Sequence, residues 1–108
     1  IKARGGGGVR TRYKKLKDYG ITTDEENALK DRCKNLDARD IEILHETALS
    51  SAPGIEDYIC ESIINHTGYR TLCEKQVIPV NEEDFYAYRR KTLAMLYERL
   101  KLYGRWKY

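Results

Sequence analysis

The sequence predicts an all-α fold: a compact bundle of five to six short helices, ending in a helix-turn-helix with a long C-terminal helix. Three observations predict it. Helix-capping residues recur along positions 23–102, apolar residues return at helical spacing between them, and no stretch alternates polar and apolar long enough to make a strand. A first short helix is expected over 12–19, stopped by Gly20. Thr23-Asp24-Glu25-Glu26 has the form of a capping box and opens a helix to about Leu36, with Ala28, Leu29 and Cys33 on its inner face. Asp37 caps the next helix, to about Ser50, with Ile41, Leu44 and Ala48 as its buried stripe. Pro53 suits the opening of a helix that carries Ile55, Ile59 and Ile63 and ends near Gly68. Thr67 is expected to cap a short helix over 69–76 with Leu72 and Cys73 inward. Pro79 biases Ile78 away from helical backbone, and Asn81 caps the longest helix, over 82–102. Its expected inner stripe is Phe85, Tyr88, Thr92, Leu96, Leu100 and Tyr103.

A chain of 108 residues is read as one domain. Its 41% apolar and 34% charged residues suit a folded domain and exclude wholesale disorder. No apolar run approaches the roughly 20 residues that span a bilayer, so no membrane partner is expected. No secretory signal opens the sequence, and Cys33, Cys60 and Cys73 are odd in number and dispersed. Both features point to a reducing, cytoplasmic setting. Residues 1–12, with Gly5 to Gly8, read as a flexible basic arm or an appended linker, and 13–108 as the helical domain.

The net charge of +3 says less than its layout. Lys2, Arg4, Arg10, Arg12, Lys14, Lys15 and Lys17 crowd the start, acids dominate 20–68, and bases return after 69. Basic ends around an acidic middle orient a protein on a polyanion. Residues 67–102 add a short helix, a turn of about four residues and a longer basic helix, the outline of a helix-turn-helix. Tyr86, Arg89, Arg90 and Lys91 are expected at or beside its exposed side, Arg90 and Lys91 the most open. Tyr86, Arg89 and Arg90 are candidates for base edges. Arg10, Arg12, Lys14, Lys15, Arg70 and Lys91 are candidates for phosphates.

The run Tyr69-Arg70-Thr71-Leu72, through Ile78-Pro79-Val80, to Phe85-Tyr86-Ala87-Tyr88-Arg89-Arg90-Lys91-Thr92-Leu93 resembles the tail of small phage-encoded transcription regulators. Those proteins are similar to the DNA-binding fourth region of bacterial sigma factors. The resemblance covers about a third of the chain, and implies transcription control by binding double-stranded DNA. One departure is Glu82-Glu83-Asp84. These acids suit a helix N-terminus but repel phosphates where a recognition helix usually approaches the bases.

Metal and catalytic chemistry are not expected. Cys33, His45, Cys60, His66 and Cys73 show no ligand-pair spacing, and no nucleophile has an elbow or glycine context. No cofactor is implied, and the cysteines are expected inward as small hydrophobes. The acidic middle is expected to face RNA polymerase, another host protein or a second copy of the chain. The competing reading is a protein-binding module that occupies a host protein through that acidic surface. Over 103–108 aromatic and basic residues alternate, and this tail is expected to pack back over the core.

Overall fold

The computed structural model describes residues 14–106. A 3-10 turn, Leu16–Tyr19, precedes five α-helices: α1 Thr23–Cys33, α2 Ala38–Ser51, α3 Glu56–Asn65, α4 Tyr69–Cys73 and α5 Glu82–Leu102. There is no strand among the described residues. Arg10, Arg12, the glycine run and the last two tail residues lie outside them.

The caps are local chemistry. Asp37 Oδ1 accepts from the Asp40 amide at 2.8 Å, and Asn81 Oδ1 from the Asp84 amide at 2.8 Å. Each removes one of the unpaired donors at a helix start. The capping box of α1 forms one residue earlier than expected. Thr22 Oγ accepts from the Glu25 amide at 3.1 Å, and Glu25 Oε1 accepts from the Thr22 amide at 2.8 Å. Helix α1 also stops at Cys33 rather than near Leu36. Asp37 needs extended backbone to cap α2 (φ −86°, ψ 179°), so the chain turns before it, at Lys34 and Asn35.

Helix α5 is the spine, packed against α2, α3, α4 and the 3-10 turn. It buries Phe85, Ala87, Thr92, Leu93, Ala94, Leu96, Tyr97 and Leu100. Tyr88 is only half-buried and Tyr103 is exposed, so the expected stripe is corrected at both. Surrounded by neighbours, the helix buries a broad arc rather than a narrow line. On α2 the buried face is Ile43, Leu44, Thr47, Ala48 and Ser51, with Ile41 half-buried. Where α2 meets α5 a hydroxyl chain is fully satisfied. Ser51 Oγ lies 2.7 Å from Thr92 Oγ1 and donates to the Thr47 carbonyl at 2.8 Å. Ile55, the cap of α3, and Ile59 and Ile63 within it are buried at the expected spacing, although the helix opens after Ile55 rather than at Pro53.

Cys33 and Cys60 are buried, and burial pushes both thiols up to about 11. Cys73 is exposed, against expectation. Successive helix positions point about 100° apart, and in a five-residue helix Leu72 takes the inward direction.

The tail folds back. Gly104 sits in the left-handed region (φ 70°), and the Arg105 amide returns to the Leu100 carbonyl at 2.8 Å. Trp106 then packs edge-on against Tyr97, with centroids 4.9 Å apart. Arg105 donates to Asp40 Oδ1 at 2.8 Å and to Asp37 at 2.6 Å. Arg32 grips the same Asp40 carboxylate through Nε and Nη2, at 3.1 and 3.0 Å, and reaches the Arg105 carbonyl at 2.9 Å. Asp40 is 1% exposed. Burial alone would raise its pKa, but the bonds from Arg105, Arg32 and the Asp37 amide outweigh it and hold the carboxyl below the usual range.

Candidate nucleic-acid interface

The basic stretch before the 3-10 turn and the cations of α5 meet. Arg90 Nε donates to the Lys14 carbonyl at 2.7 Å. Lys14 Nζ lies 4.3 Å from the centre of the Tyr19 ring. Burial pushes the Tyr19 hydroxyl up, and the Arg90 charge acts against it. Lys15 and Lys17 are exposed and Lys91 is half-exposed. The Lys14 backbone therefore lies against Arg90, and Lys15 and Lys91 are their chain neighbours. Arg90 is not the open surface residue expected, because the chain entering the 3-10 turn crosses it.

Two candidate base readers face inward and are corrected. Helix α4 has no side-chain cap: its N-cap is Gly68, not Thr67. The free Tyr69 amide donates instead to the Tyr86 hydroxyl, at 3.0 Å. A Cβ on Gly68 would stand 3.1 Å from that hydroxyl, so glycine is what lets the Tyr86 side chain in. Arg89 turns toward α3 and donates through Nε to Ser62 Oγ at 3.0 Å. Ser62 Oγ donates onward to the Thr67 carbonyl at 2.6 Å. Burial lowers the Arg89 pKa, with nearby Cys33 and Tyr86 acting the other way, yet a guanidinium stays charged.

Arg70 lies on α4, exposed, 3.4 Å from Glu82 at the start of α5. An exposed pair at that distance contributes little stability, and it partly neutralises the acidic first turn of α5. The connection between α4 and α5 spans residues 74–81, longer than the turn of about four residues expected. Helix α4 ends at Cys73, and Ile78 is buried on the way to Asn81.

One cavity adjoins this side of the bundle. It measures about 260 Å³ and is lined by Leu16, Leu29, Lys30, Cys33, Lys34, Ile63, His66, Arg89 and Leu93. The apolar members are buried, while Lys30, Lys34 and His66 are exposed. Lys30 and Lys34 had not been singled out from the sequence. Their i, i+4 spacing, with Cys33 between them, is the signal that places them along one edge of α1.

The chain matches no protein-family model, no curated protein and no solved structure.

Among the described residues no cluster of three or more His, Cys, Asp or Glu is arranged to hold a metal ion. No helix is long and apolar enough to cross a membrane.

Proposed function

We propose that this chain binds double-stranded DNA, chiefly through phosphates, and acts as a transcription regulator without catalysing a reaction. The observation that carries the reading is the Arg90–Lys14 hydrogen bond, which brings the basic stretch before the 3-10 turn against the basic middle of α5. Each phosphate contact there would release condensed counterions and bring salt dependence. The phage character, and RNA polymerase as a further partner, rest on the resemblance of residues 69–100. With Tyr86 and Arg89 engaged inside the bundle, contact is assigned to the 3-10 turn and the middle of α5, not to the acidic first turn of α5.

The test is titration of random duplex DNA at two salt concentrations with the wild-type chain and Lys15→Glu/Lys91→Glu. Neither side chain is buried, so the fold should persist. The double variant should bind more weakly, and its log–log salt slope should be shallower by about two units, one per lost contact. Unchanged affinity with the fold intact would overturn the reading. It would favour the protein-binding alternative, which has its own support: Glu42, His45, Glu46 and Leu49 recur at helical spacing on the outer face of α2, with Leu49 59% exposed.

A further inference from the structure

We propose that the cavity between the 3-10 turn, α1, α3 and α5 binds a small amphiphilic anion: a carboxylate carried on a compact apolar chain. The cavity is divided by chemistry. Leu16, Leu29, Cys33, Ile63 and Leu93 form a buried apolar floor, and Lys30, Lys34 and His66 form an exposed rim. Arg89 lies between the two, and no acidic residue lines the space.

Arg89 gives the site its direction. A guanidinium offers five N–H donors. The Nε donor is used on Ser62 Oγ, which fixes the plane of the group. The terminal nitrogens make no hydrogen bond to the described residues, and no carboxylate there pairs with this partly buried charge. Neither terminal nitrogen is sealed from solvent, so both stay open to a ligand, and a carboxylate accepts two parallel N–H bonds from such a fork. The rim lysines are lightly committed. Lys30 reaches Glu26 at 2.9 Å and Lys34 reaches Asp31 at 3.7 Å, both as exposed pairs within one helix. Pairs of that kind contribute little, so either ammonium can turn to a ligand at small cost.

The floor decides the class of ligand. Inorganic phosphate would have to lose water against five apolar side chains and gain nothing from them. An aliphatic carboxylate places its chain on that floor and its head at Arg89. An apolar cavity of about 150 Å³ holds benzene, so the space here admits a chain of about eight carbons. The site is separate from the proposed DNA contacts, since neither Lys15 nor Lys91 lines it.

The experiment is calorimetric titration of the full chain with octanoate, 1-octanol and inorganic phosphate, followed by NMR of the arginine Nε–Hε groups. Octanoate should bind at one saturable site and shift the Arg89 signal. Octanol and phosphate should each bind at least tenfold more weakly, about the contribution of one charge-assisted bond pair. Lys30→Glu/Lys34→Glu, which alters only exposed positions, should weaken octanoate about tenfold, and Lys15→Glu/Lys91→Glu should leave it unchanged. Arg89→Gln, if folded, should abolish the preference for octanoate over octanol. Four results would overturn the proposal: no saturable binding, octanol equal to octanoate, phosphate equal to octanoate, or full affinity in the Lys30→Glu/Lys34→Glu variant.

Discussion

Removing the Tyr86 hydroxyl leaves the Tyr69 amide without its acceptor at the start of α4. Tyr86→Phe should therefore destabilise the fold by about 1 kcal/mol, the usual net worth of one hydrogen bond, measured by denaturant titration. A base-reading Tyr86 would show the opposite pattern: unchanged stability and weakened DNA binding. Asp40 is the more demanding residue. Its buried carboxylate accepts from two arginines, and Asp40→Ala would leave both without it. The expected loss is about 3 kcal/mol, with Arg105 and the tail released together. A loss below 1 kcal/mol would mean that solvent replaces the carboxylate almost completely.

At the scale of elements, the legible features are those a few neighbouring residues decide. Asp37 and Asn81 were readable because each cap is a side chain meeting an amide three residues on. The Ile55, Ile59, Ile63 stripe was readable because its period lies within one helix. Thr22 was missed because two adjacent threonines are each followed, three residues on, by a glutamate, and only backbone geometry chooses between them. Tyr86 and Arg89 were misplaced because their partners are remote in sequence: the Tyr69 amide, which donates to the Tyr86 hydroxyl, and the Ser62 hydroxyl, which accepts from Arg89. Arg105 was opaque for the same reason, since its partners Asp37 and Asp40 lie far back in the chain, at the start of α2. The stop of α5 makes that return feasible. Gly104→Ala puts a Cβ where φ is 70°, which should cost about 1 kcal/mol. The accompanying sign would be a change in Trp106 fluorescence as its contact with Tyr97 loosens. An unaltered melting temperature would show that the tail does not depend on this turn.

Stability of the whole molecule should fall on both sides of neutral pH, for opposite reasons. Asp40 and Glu25 have folded pKa values below those of the unfolded chain. For Glu25 the Thr22 amide is the largest cause and the Tyr97 hydroxyl adds to it. A lowered carboxyl pKa gives stability that is complete above the unfolded values, about 3.9 and 4.3, and is lost as pH falls through the folded ones. The acid limb should therefore begin near pH 4, and Asp40→Asn should flatten it. Cys33 and Cys60 work the other way. Their folded pKa values are raised to about 11, so the native state resists ionising them. Stability from that source is intact below the unfolded thiol value of about 8.5 and is lost as pH rises toward the folded one. The full loss, reached only above the folded value, is on the order of 3 kcal/mol for each buried thiol. Tyr19, raised mainly by its burial, adds to the alkaline side. Urea midpoints from pH 3 to 11 give the curve. Cys33→Ala/Cys60→Ala should lower the neutral plateau, because it opens space in the core, while making the alkaline limb shallower. An alkaline limb of unchanged slope in that variant would assign the fall to Tyr19 and not to the thiols.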